Sequence, residues 1–107
     1  MHDERHGQTV VIFLSERTGD DDSGYAAAAD AMEKLAAIQP GYRGFDSVRG
    51  ADRVGITLSY WADDATARAW KNHPDHTAIR DAGRDRWYTR YEVVVAAVSR
   101  DYRWHKA

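Results

Sequence analysis

The stretch PGYRGFDSVRGADRVGITLSYW, residues 40–61, decides the fold. It contains two runs rich in β-branched and aromatic residues, YRGFDSVR (42–49) and VGITLSYW (54–61), joined by GADR (50–53). Two such runs around a short loop containing Gly and Asp predict an antiparallel hairpin. Gly44 and Gly55 interrupt the runs, and glycines inside strands mark a bulge or the close approach of another group to the backbone. The topology then depends on what flanks the hairpin.

Upstream, YAAAADAMEKLAAIQ (25–39) is built from strong helix formers, with Ala28, Met32, Leu35 and Ala36 on one face. Ser23 is the expected cap of this helix, and Pro40-Gly41 ends it. Before it lies QTVVIFLSER (8–17), a buried-strand pattern closed by the polar loop TGDDDSG. Downstream, DDATARAWKN starts on a carboxylate cap and runs until Pro74 interrupts it. PDHTAIRDAG resumes as a second helical piece with Pro74 in its first turn and Gly83 expected to close it. The last run, RWYTRYEVVVAAVSRDYRW (86–104), predicts a long strand buried on both faces from Val93 to Val98.

The order strand, helix, strand, strand, interrupted helix, strand predicts an α+β fold, the ferredoxin-like βαββαβ arrangement with a four-stranded antiparallel sheet. One domain is expected over residues 8–103, with a flexible leader over 1–7 and a short tail over 104–107. Helices cover one face of such a sheet, so the other face is expected to pack in a symmetric homodimer.

Composition narrows the partners. Fifteen Lys and Arg against seventeen Asp and Glu give a formal charge of −2, without the basic excess that draws nucleic acid. The absence of cysteine excludes disulfides, thiolate nucleophiles and iron–sulfur sites, and fits a reducing cytoplasm. The longest apolar run, Val10 to Leu14, falls far short of the roughly 20 residues that span a bilayer, so no membrane partner is expected. The acidic DDD (20–22) lacks the alternating oxygen ligands of a calcium loop and reads as solvated.

The chemistry concentrates in WKNHPDH, residues 70–76. His73 and His76 have a spacing that an unbroken helix would turn into a metal site, but Pro74 falls between them. The expectation is therefore no metal, with His73 as a helix cap and His76 as a polar pocket or core residue. His76, Ile79, Arg80 and Gly83 form one helical stripe, which fits a cavity wall if Arg80 meets an anion there. Pairing of Arg80 with Asp75, Asp81 or Glu92 is the surface alternative. Trp61, Trp70, Trp87, Tyr60, Tyr88 and Tyr91 are either core and interface residues or the walls of a pocket for a flat ligand.

QPGYRGFDSVRG, GITLSYW, ARAWKNHPDH and GRDRWYTRYEV resemble, in order and spacing, the antibiotic biosynthesis monooxygenase family of dimeric α+β barrels. The resemblance covers roughly residues 8–103. It implies a small homodimeric oxidoreductase that oxidises an aromatic, phenolic molecule with O₂ and without metal or flavin. Related heme-degrading enzymes keep an Asn on the first strand, a Trp on the second helix and an iron-ligating His ten residues later. The register puts Glu16, Trp70 and Arg80 at those positions. With no imidazole at position 80, heme as the alternative cofactor would have to fall to His76. The resemblance thus implies His76 or His73 as base and Arg80 as anion holder. Trp61, Trp70, Trp87, Tyr91 and Glu16 are then the substrate-binding candidates, and a non-catalytic ligand-binding dimer is the remaining alternative.

Overall fold

The computed structural model describes residues 4–107. Strands β1 (Thr9–Arg17), β2 (Tyr42–Arg49), β3 (Val54–Trp61) and β4 (Tyr88–Ala97) form one antiparallel sheet in the order β2-β3-β1-β4. Helices α1 (Asp22–Ala37), α2 (Asp64–Lys71) and α3 (Pro74–Ala82) accompany it, and a π-helical turn, Gly83–Trp87, leads into β4. This is the ferredoxin-like α+β arrangement, with β1 between β3 and β4.

Register sorts the side chains. Val11 lies opposite Ser59 and Val95, and Phe13 opposite Thr57 and Val93. These residues share the helix-side face. The alternate residues, Val10, Ile12, Leu14, Leu58, Tyr60 and Val94, point the other way, where no helix among the described residues packs. Val48, Ile56 and Val94 on that face are exposed. The expectation that Val93 to Val98 is buried on both faces is corrected for the single chain: Val93, Val94 and Val95 are 50%, 39% and 53% exposed. Their strand lies at the sheet edge, with a cavity on one side and the bare face on the other.

Local chemistry explains the element ends. Asp63 caps α2 in a reciprocal capping box with Thr66, and the Thr66 N–H bond holds the Asp63 carboxyl below the usual carboxylate range. The cap of α1 is Asp21, not Ser23: Asp21 adopts a left-handed backbone (φ 55°) and its carboxylate accepts from Gly24 N at 3.3 Å. Ser23 sits inside the first turn, so the helix starts earlier than its apolar pattern does. The acidic run is not simply solvated. Asp22 pairs with Arg17 (3.2 Å) and Arg53 (3.4 Å), while Asp21 pairs with Arg86 (3.4 Å) and accepts from Trp87 Nε1 (3.3 Å).

Gly83 does not close α3 either. Its backbone stays right-handed (φ −61°) and the chain widens into the π turn. A Cβ there would lie 2.8 Å from the Tyr88 ring, so glycine lets that ring lie on the helix. The strand glycines behave as expected. Gly44 sits at the register shift of β2, and a Cβ on Gly55 would meet the Arg49 guanidinium at 2.6 Å.

Of the leader expected over 1–7, residues 1–3 lie outside the described residues. Gly7 and Gln8 bond with Val98, extending the β1–β4 ladder, and Arg5 lies 3.6 Å from the centre of the Tyr60 ring.

The dry core is small and lies at one end of the helix–sheet layer. Trp61 and Ala36 are fully buried beside Ala67 and Trp70, with Val11, Met32, Leu35 and Tyr42 around them.

Candidate active site

Beside that core the helices stand away from the sheet, leaving a cavity of about 820 Å³. Its floor is the sheet face of Val11, Phe13, Phe45, Ser47, Thr57 and Ser59. Its walls come from Tyr25, Ala28 and Met32 of α1, Trp70 of α2, and His76, Ile79 and Arg80 of α3. Trp87, Tyr88 and Tyr91 complete it, and Val93 and Val95 lie along the β4 side. The lining is mostly apolar and aromatic with a few polar groups, the usual make-up of a site for a small flat molecule.

Trp70 joins core and cavity. One face stacks on Trp61, with ring centres 5.8 Å apart, and it also stacks on the His76 imidazole at 4.7 Å and 15°. The stack fixes the plane of His76, and a hydrogen bond fixes its rotation and tautomer. His76 Nδ1 lies 3.0 Å from the Trp70 carbonyl oxygen. A carbonyl only accepts, so Nδ1 carries the proton and the lone pair of neutral His76 is on Nε2. Burial lowers the His76 pKa, and the charges of Arg80 and His73 act the same way against the carbonyl, which raises it. Below its ordinary range, the imidazole is neutral at pH 7 and able to take a proton.

Arg80 follows one turn later on the same wall. Its Nε is buried without a hydrogen-bond partner among the described residues; the Asp81 carboxylate is 3.8 Å away. A buried N–H left unpaired costs roughly 1–3 kcal/mol, a cost that an anion in the cavity would remove. Tyr88 is a half-buried polar group on the wall. Burial, reinforced by Tyr25, pushes its phenol well above the usual tyrosine range, so it stays a neutral hydrogen-bond donor.

The other predicted residues are distributed as follows. His73 is outside the lining: its Nδ1 accepts from Asp75 N at 3.2 Å and caps α3, with its ring tilted against Trp70. Trp61 is fully buried behind Trp70 and does not line the cavity. Trp87 and Tyr91 do line it. Glu16 is also absent from the wall, its carboxylate pairing with Arg90 at 3.2 Å. Phe13 and Tyr25 contribute to the wall without having been predicted for it, and Tyr88, one of the aromatics expected in either core or pocket wall, lines it. For Phe13 the signal was its helix-side position in β1, whereas Tyr25 and Tyr88 meet only in the fold, edge to face at 5.9 Å.

Among the described residues no three His, Asp or Glu side chains gather as a metal site. Heme meets an Arg where the resemblance places the iron ligand, and a guanidinium has no lone pair to give. That residue does not fit the heme-degrading arrangement.

The sequence profile of the family described as antibiotic biosynthesis monooxygenase matches residues 8–82. The chain belongs to the antibiotic biosynthesis monooxygenase family. It is 46% identical over 91 residues to the uncharacterized protein YqjZ of Bacillus subtilis, covering 85% of this chain and 79% of that one. Solved structures share the family fold. SnoaB of Streptomyces nogalater, a cofactor-independent oxygenase, superposes with a TM-score of 0.76 at 15% identity, covering 89% of this chain and 96% of its own. A candidate antibiotic biosynthesis monooxygenase from Nitrosomonas europaea superposes at 0.77 with 18% identity, covering 87% and 91%. At these identities the likeness establishes the fold, so the chemistry must be argued from the cavity.

Proposed function

We propose that this member of the family is a cofactor-independent monooxygenase that oxidises a planar phenol to a quinone with O₂ in the cavity beneath Trp70. One observation carries this reading: His76 is held between the Trp70 ring and the Trp70 carbonyl with its basic nitrogen uncommitted on the wall of an aromatic cavity. The likeness to SnoaB, a cofactor-independent oxygenase, supports the same class of chemistry.

Triplet O₂ reacts slowly with a closed-shell phenol, and the protein answers by making the substrate a better electron donor. His76 Nε2 takes the phenol proton, leaving a phenolate and an imidazolium. Arg80 stabilises the negative charge within the same wall. The phenolate gives one electron to O₂, and the resulting radical and superoxide combine at a ring carbon as a peroxide. The ring carbon then loses its hydrogen as a proton while the O–O bond breaks and the carbon becomes a carbonyl; one oxygen stays in the quinone and the other leaves as water, made with that proton and the one returned from His76. Trp70, Trp87 and Tyr91 hold the ring and keep bulk water out. His73 acts from outside, capping α3 and so positioning His76.

Oxygen uptake with a panel of anthrones and naphthols tests the assignment. Removal of a general base costs about 100- to 10,000-fold, so His76→Ala is expected to lose that much kcat/KM. Unchanged uptake in both His76→Ala and Arg80→Ala overturns the mechanism.

The protein is also proposed to act as a homodimer. The bare sheet face, with Val48, Ile56 and Val94 exposed, is the surface that a second copy covers. Light scattering should give twice the 12.1 kDa chain mass; a concentration-independent 12.1 kDa contradicts it. No helix among the described residues is long and apolar enough to cross a membrane, and the proposed place of action is the cytoplasm.

A further inference from the structure

The cations of this chain are not distributed evenly between partners. Arg17, Arg53, Arg68, Arg86 and Arg90 each lie within 3.6 Å of a carboxylate. Three cations on the cavity wall, Lys71, Arg80 and Arg84, have no such partner among the described residues. Arg80 has only the 3.8 Å approach of Asp81. Arg84 donates instead to the Tyr91 hydroxyl, and its guanidinium lies 5.6 Å from the centre of that ring. Having accepted from Arg84, the Tyr91 hydroxyl still has its own proton to donate.

The wall acids do not balance these charges. Asp64 is taken up by Arg68 and Asp30 by Lys34, which leaves Glu33. Arg80 and Arg84 are also only four residues apart across the end of α3, so their like charges repel. Asp81 approaches only Arg80, and Asp85 makes no ion pair with Arg84 among the described residues. Uncompensated cations in a cleft raise the local concentration of anions.

We infer that the molecule bound here is an aromatic acid: besides the phenol that meets His76 and Arg80, it carries a carboxylate held by Arg84 and the Tyr91 hydroxyl, with Lys71 adding positive charge to the same cavity wall. This rests on the reading of the cavity as the substrate site and adds a second polar anchor to it. Guanidinium and phenol donors together suit a carboxylate, which accepts at two oxygens. The anchor sets which way round the ring enters, and so which ring carbon faces O₂.

Naphthoate and naphthamide, which share shape but differ in charge, provide the test by titration calorimetry without oxygen. Naphthoate is expected to bind about tenfold or more tighter, the size of a charge-assisted hydrogen bond over a neutral one. The double substitution Arg84→Gln with Lys71→Gln should abolish that preference and leave naphthamide affinity unchanged. Both residues have exposed side chains, so the fold tolerates the change. Equal binding of the two compounds by the native protein, or a preference that survives the double substitution, overturns the inference. Oxygen uptake of the native protein with an uncharged naphthol, measured in parallel, separates the two failures: no preference for naphthoate in the native protein with intact uptake refutes the second anchor alone, and absent uptake refutes the oxygenase reading.

Discussion

The two ends of the layer between helices and sheet are built from similar helices and finish differently. At the end of α1, Ala36 and Ala67 meet the indoles of Trp61 and Trp70, and the space closes without a gap. At its start, Ala28 faces Ser47, Thr57 and Ser59 on the sheet, and the space stays open. Small residues on helices are common to both. The difference is what fills the space between them: two indoles do so at the closed end, whereas at the open end Ser47, Thr57 and Ser59 leave room among Val11, Phe13 and Phe45. Trp70 is the boundary, packing one neighbour into the core and presenting His76 to the cavity.

Several substitutions break or sharpen this contrast. Trp61→Ala removes the fully buried indole on which Trp70 rests and should cost roughly 3–5 kcal/mol in urea unfolding. A loss no larger than that of an exposed tryptophan such as Trp104 would show that the core is not where it stands in this structure. Next, Ala36→Leu overfills the closed end and should cost about 1–3 kcal/mol, whereas Ala28→Leu fills the open end, leaves the melting temperature nearly unchanged and blocks ligand binding. Equal destabilisation by the two would erase the distinction.

Asp21→Ala removes the α1 cap together with the Trp87 and Arg86 contacts that close the cavity's far wall. It is expected to cost about 0.5–2 kcal/mol. Ser23→Ala, at the position that sequence favours, should cost less.

The smallest effect is that of pH. The folded His76 pKa is lowered from 6.5, so the unfolded chain binds this proton more readily. Its contribution to stability is therefore complete above pH 6.5 and is lost as pH falls towards and through the folded value. His76→Gln should flatten that part of the urea-midpoint profile. The same shift puts the acid limb of oxygen uptake below pH 6.5; a limb above it would mean that a different group is the base.

Element order was legible because hydrophobic period and turn chemistry are local. The hairpin over 42–61 and the helix break at Pro74 appear with the expected bounds, and the carboxylate cap at Asp63 sits where its sequence places it. Local signals misled where a distant partner decided the outcome. Gly83 looked like a helix stop but serves the Tyr88 ring, and DDD looked solvated but clamps Arg17, Arg53, Arg86 and Trp87. The valines of β4 read as doubly buried, since composition records what a strand prefers and not where in the sheet it lies.

The candidate site divides the same way. His76, Ile79 and Arg80 were visible as one helical face after a proline break, because residue spacing on a helix fixes which side chains share a side. The partner that sets the His76 tautomer is a backbone carbonyl six residues back, and the opposing sheet floor comes from β1, β2 and β3. The sequence by itself determined the βαββαβ order, the caps of α2 and α3 and the stripe of reactive groups, all of which depend on neighbours within a turn or two. Only the tertiary structure decided that the stripe faces a void, since a cavity is a mismatch between surfaces that are far apart in the chain.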